Sequence, residues 1–197
     1  MKWKIKALIL SVLALFPRWL SERLHYGLQR HLGALRRLDP WSRLEGAVYA
    51  LRAMEAHGDS IEGARVLEIG TGWRVNAPVA FYLAGADEVC TVDLNRYLRP
   101  ELIHQDLRLI IQDESKVRTL YEGLPWDDAR WKKLVDLVSR PSLTESGLRR
   151  RLGIDYRAPQ DATCLSQHES GHFKLQFSQN TFEHIPKATL ASILTEG

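Results

Sequence analysis

RVLEIGTGWRVNAPVAFYLAGADEVCTVD, residues 65–93, decides the fold. Val66 and Leu67 open a short apolar run that reaches Ile69, and Gly70, Thr71 and Gly72 follow at once. Residues 77–84 then read as a helix, stopped by Gly85. A second apolar run, residues 89–92, ends on Asp93. Strand, glycine turn, helix and strand make one βαβ unit of a nucleotide-binding fold. Gly70 and Gly72 can take backbone angles closed to other residues, which lets the chain approach a ligand closely. Asp93 lies about 20 residues past the glycines, where an acid can bind ribose hydroxyls.

Around this unit the chain reads as more α/β structure. Asp39 and Pro40 form a helix start, with Asp39 as N-cap and Pro40 at the first helical position. The helix is predicted over 40–56, with Leu44, Val48, Leu51 and Met54 on one face and Gly58 as its stop. After Asp93 no strand returns promptly. Residues 100–153 read as helices over about 101–111, 114–121, 126–138 and 143–152, with Pro125 and Pro141 as breaks. A plain crossover needs only about a dozen residues. The segment is therefore an insertion, and both a substrate lid and an extra helical layer stay open for it. Third and fourth strands are predicted at 154–157 and 175–178.

The N-terminal residues 1–38 stand apart as a basic and apolar helical extension, leaving 39–197 as the main domain. Lys2, Lys4 and Lys6 precede an apolar run at 7–16, which is about half the length needed to span a bilayer. No small-residue cleavage site follows it. Trp3 and Trp19 at its flanks suit either a helix docked on the domain or one lying in a membrane interface through residues 1–20. Residues 18–38 continue as a basic helical region with Leu20, Leu24, Leu28 and Leu32 at i, i+4 spacing.

Composition sets wider bounds. The 197 residues, 45% hydrophobic and 26% charged, suffice for one domain with a real core. The formal net charge of +3 is too small to argue for a nucleic-acid partner, and the arginines at 36–37 and 149–151 read as solvated helix faces. Cys90 and Cys164 suggest neither a disulfide framework nor a metal cluster, so a reducing, cytoplasmic setting is expected, at most peripheral to the inner face of a membrane.

The glycine pattern departs from the dinucleotide one, G-x-G-x-x-G, because Val75 stands where its third glycine belongs. Glu68 sits two residues before Gly70 instead. E-x-G-x-G resembles motif I of class I S-adenosylmethionine-dependent methyltransferases, in particular the methyltransferase type 11-like domain. Further resemblances follow in the family's order. Asp161 and Ala162 after the third strand resemble the acid and small residue that hold the adenine. FKLQFSQNTFEHIP, residues 173–186, resembles the stretch F-D-x-V-x-S…E-H-x-P, with Phe173, Phe177, Ser178, Asn180, Glu183, His184 and Pro186 in place.

The resemblance implies a Rossmann-like parallel sheet with helices on both faces, in strand order 3-2-1-4. It implies S-adenosylmethionine as cofactor, held by Glu68, Gly70, Thr71, Gly72, Asp93, Leu94, Asp161, Ala162, Ser178 and Asn180. His184 becomes the candidate general base, and the helix before the first strand packs over the cofactor cleft. The acceptor is expected to be a small molecule or a lipid- or glycan-linked group. Three departures stand against the pattern. Arg74 replaces a third glycine and becomes a candidate partner for the cofactor carboxylate. Lys174 replaces an aspartate. The family's strands five to seven find no counterpart before residue 197, which makes the chain read as a truncated or partner-dependent version with an open sheet edge through which copies could associate. A non-catalytic module docking to a membrane or a partner protein is the alternative reading. A nicotinamide-dependent reductase is disfavoured by Val75 and by the lack of a tyrosine–lysine acid pair.

Overall fold

The first apolar run is the interior strand of a sheet. In the computed structural model, which describes residues 16–33, 35–36, 39–140, 143–165 and 171–196, β1 (Arg65–Ile69) lies between β2 (Glu88–Val92) and β4 (Leu175–Phe177). β3 (Ile154–Arg157) adds outside β2, so the order is β3-β2-β1-β4 and every pairing is parallel. Val66 stands level with Val89 on one side and Leu175 on the other, and Val89 stands level with Ile154. This is an α/β fold with the strand order expected from the sequence.

The chain divides into two compact units, Met1–Asp39 and Pro40–Gly197. In the first, α1 spans Arg18–His31. It is shorter than the basic helical region expected to reach 38, because Gly33, a poor helix former, follows its end. Lys2, Trp3, Lys4, Lys6 and all of the apolar run at 7–16 except Phe16 lie outside the described residues, as do Pro141 and Gly197. No described helix is long and apolar enough to cross a membrane.

In the second unit α2 is Trp41–Ala56. Pro40 is its N-cap rather than its first helical residue, and no side chain caps it, so Asp39 does not play the predicted part. The carbonyl of Pro40 instead accepts a buried hydrogen bond from Asn76 Nδ2 at 2.8 Å. That carbonyl also accepts from Leu44 N at 3.4 Å, so the helix start is tied to the helix of the βαβ unit. Leu44, Ala47, Val48 and Leu51 are buried along α2. The helix of the βαβ unit, α3 (Asn76–Leu83), is buried at every position.

The insertion folds as α4 (Pro100–Gln112), α5 (Glu114–Leu120), α6 (Asp128–Val138) and α7 (Glu145–Leu152). Two of these begin two residues later than predicted, because side chains cap them there. Asp127 accepts from Ala129 N at 2.7 Å, and Thr144 Oγ1 from Gly147 N at 3.1 Å. Their apolar sides share one core with α2 and α3, through Ile103, Leu107, Val117, Trp131, Leu134 and Leu148 among others. Tyr121 drives its hydroxyl into that core and donates to Ala80 O at 2.6 Å. The insertion is an added helical layer. After β4 the chain makes a 3-10 turn, Phe182–His184, and ends in α8 (Lys187–Glu196).

Candidate functional site

A cavity of about 620 Å³ opens beyond the carboxyl ends of the strands. This is where open parallel sheets take ligands, and the volume is that of a ligand pocket. The glycine turn after β1 forms its floor. Gly70 and Gly72 take φ of 89° and 63°, angles that favour glycine. Gly70 has a second reason to lack a side chain: a Cβ there would collide with Thr181, which folds over the turn from the β4 side.

Asp93 closes the turn from the end of β2. Its Oδ2 accepts from Gly72 N at 2.9 Å and its Oδ1 from Asn95 N at 2.9 Å. The carboxylate is thereby held at the cavity wall with lone pairs to spare for hydroxyl donors. Leu94 is exposed beside it, and Tyr97 stacks on Trp73 of the glycine turn at 4.7 Å between centroids.

Asp161 and Ala162 enter from the loop after β3. Asp161 Oδ1 accepts from Thr163 N and Thr163 Oγ1, each at 2.8 Å, and the backbone bond foremost holds the carboxyl below its ordinary range. Ala162 is buried on the apolar side of the cavity with Ile69, Val92 and Ile193. From the segment after β4 come Gln179, Asn180, Thr181 and His184. Asn180 sits in the left-handed region at φ 61°, which asparagine tolerates better than most residues. His184 stands at the rim, its side chain 76% exposed, with Nε2 3.4 Å from Glu183 Oε1.

Of the residues singled out from the sequence, Gly70, Gly72, Asp93, Leu94, Asp161, Ala162, Asn180 and His184 line the cavity. Glu68, Thr71 and Ser178 lie behind its wall. Ser178 Oγ donates to Ile69 O at 2.9 Å, which ties β4 to β1. Glu68 and Thr71 are buried and joined through Thr91: Thr91 donates its hydroxyl to Glu68 Oε2, so Thr71 must donate to Thr91. Burial pushes the Glu68 carboxyl above its ordinary 4.5, against the pull of the Arg43 charge and the Thr91 bond. Its Oε1 has no hydrogen-bond partner among the described residues.

Arg74 is a correction. It turns away from the cavity toward the buried Asp106 of α4, with Nε 3.6 Å from Oδ2. The cation that does line the cavity is Arg43 of α2, a residue not singled out from the sequence. Its one sequence signal was the expected packing of this helix over the cleft. Among the described residues, none from the insertion lines the cavity, so the lid expectation gives way to the added layer. Among the described residues no cluster of three or more His, Cys, Asp or Glu side chains could hold a metal ion. No family model, no curated protein and no solved structure matches the chain.

Proposed function

We propose that the chain binds S-adenosylmethionine in this cavity and transfers its methyl group to a small-molecule or lipid-linked acceptor. The observation that carries the reading is the convergence of three distant stretches on one cavity. Gly70, Gly72 and Asp93 come from the βαβ unit, Asp161 and Ala162 from the loop after β3, and Asn180 with His184 from the segment after β4.

The donor set suits the cofactor. Asp93 offers carboxylate oxygens for the two ribose hydroxyls, and Asp161 offers one for an exocyclic amine. Ile69, Val92, Ala162 and Ile193 give an aromatic base an apolar wall and keep water from it. The bound sulfonium would supply an electrophilic methyl group, so the protein's work is to bind and to align. His184, at the open rim, is placed to take a proton from an acceptor hydroxyl or amine as it enters.

Calorimetric titration with S-adenosylhomocysteine tests the binding part. One-to-one binding is expected. Asp93→Ala is expected to weaken it by about tenfold to a hundredfold, the worth of hydrogen bonds to a charged group. A folded chain that gives no binding heat overturns the reading.

A further inference from the structure

A second cavity, of about 780 Å³, lies on the insertion and shares no lining residue with the first. Lys133, Leu137 and Arg140 reach it from α6 and the residue after its C-cap, at the i, i+4 and i+7 spacing of one helix face. Thr144, Gly147, Arg150 and Arg151 reach it from α7 and its N-cap, again three and four residues apart. Its base is closed where the two helices meet: a Cβ on Gly147 would stand 3.8 Å from Leu137 Cδ1, and Leu137 is buried. Gly147 N is already taken by Thr144 Oγ1, so what the cavity offers a ligand is side-chain charge. Four cations face it, and none of the described residues lining it is acidic.

The arginine run 149–151, expected as a solvated helix face, divides. Arg149 turns to Asp155, with Nε 3.5 Å from Oδ1, while Arg150 and Arg151 line the cavity. There Arg140 Nη2 and Arg151 Nη1 share one oxygen, Asp136 Oδ2, at 2.9 and 3.3 Å. All three side chains are about half exposed, and surface pairs of this kind are weak. Arg150 donates Nε to Ser146 O at 3.3 Å, and among the described residues no carboxylate pairs with it or with Lys133. Helix C-termini attract cations, which accounts for Arg140 and for the last turn of α7. It does not account for Lys133 in the middle of α6, nor for both helices' cations meeting at one concavity. Like charges gathered around a concave wall raise the local potential and draw in anions. Arginine forks match phosphate bidentately, and lysine binds phosphate as a point charge. Lys133 and Arg140 are seven residues apart, about 10 Å at the helical rise. One phosphate does not meet cations spread so widely; two linked phosphates can.

We infer that this cavity binds a diphosphate group, its charge shared among Lys133, Arg140, Arg150 and Arg151. The site is separate from the nucleoside cavity and does not rest on the adenosyl reading. The test titrates inorganic pyrophosphate into the full chain by calorimetry, with orthophosphate beside it. Pyrophosphate should bind about tenfold more tightly than orthophosphate, and S-adenosylhomocysteine should not displace it. Arg150→Gln and Lys133→Gln each remove a charge that no carboxylate holds, so the fold should stand, and each should weaken pyrophosphate binding about tenfold. Arg149→Gln, the same loss of charge one residue away and turned to Asp155, should leave it unchanged. Absence of pyrophosphate binding overturns the inference, and so does equal affinity for orthophosphate. An equal loss from Arg149→Gln also overturns it, because attraction would then follow net charge alone. A single-stranded RNA that binds where pyrophosphate does not overturns it in favour of nucleic acid. Uridine diphosphate in solution and farnesyl diphosphate in phosphatidylcholine vesicles name the source of the group. Binding of the first that Arg150→Gln weakens supports a soluble ester, binding of the second that it weakens supports a lipid headgroup, and binding of pyrophosphate alone supports the free anion.

Discussion

The two faces of the sheet are built to different ends. Alternation sends Val66, Val89, Ile154 and Phe177 to one face, where they join α2, α3 and the insertion helices in a single large core. Leu67, Ile69, Cys90 and Val92 point the other way. Their cover is thin: Ala162 and Leu165 from the loop after β3, Ile193 from α8, and the partly buried Phe173, Phe182 and Ile185. Four of the residues on this thin side, Ile69, Val92, Ala162 and Ile193, also line the cavity. Helices bury the first face in one continuous core. Loops and one terminal helix leave room on the second, and that room is where a ligand fits. Stability is concentrated on one side of the sheet and binding on the other.

Core truncation should break or sharpen this contrast most directly. Phe81, fully buried on α3 and packed edge-on against Phe177 at 5.1 Å between centroids, should lose about 3–5 kcal/mol on change to Ala. Denaturant unfolding measures it. Ile193→Ala, on the thin face, should cost about 2 kcal/mol, the low end for such a truncation. It should also weaken nucleoside binding at the cavity it lines. Equal losses from the two variants, or unchanged binding by Ile193→Ala, would erase the distinction between the faces.

The smallest expected effect is a pH dependence. Glu68 and Thr91 stand level in neighbouring strands and lie on the covered face, with Glu68 1% exposed. Burial raises the Glu68 carboxyl above 4.5, so the folded chain holds this proton at pH values where the unfolded chain has released it. Stability from this group is then full below the ordinary value and falls as pH rises through the raised one. Glu68→Gln cannot titrate. Wild type minus variant, measured by thermal unfolding from pH 4 upward, should show the wild type losing ground as pH rises. A flat difference would mean that Glu68 is not desolvated.

Much of this was legible because it is local. Residues 154–157 form the third strand as read, and the apolar positions Leu102, Ile103, Leu107 and Ile110 are buried along α4 as their spacing required. Gly70, Gly72 and Asp93 belong to one βαβ unit, whose geometry follows from short-range rules, so their meeting could be expected before any coordinates. Misreadings fall where a long-range partner competes with a local preference. Asp39–Pro40 has the chemistry of a helix start, but the helix begins one residue later, with Pro40 as N-cap and its carbonyl tied to Asn76 of α3. Arg74 sits in the glycine turn, but buried Asp106 draws it away. Glu68 was legible as an acid beside the turn, yet its burial depends on the side to which the strand turns it.

The sequence by itself determined the βαβ unit, the four strands and the apolar stripe of each helix, because periodicity and turn chemistry act over a few residues. Tertiary structure alone decided which face would be thickly covered, that the insertion would join that cover, and that Arg43 would meet Gly70 and Thr71 across 27 and 28 residues of chain. Those outcomes depend on which surfaces compete successfully for burial and for hydrogen-bond partners, and that competition is settled only when the whole chain has packed.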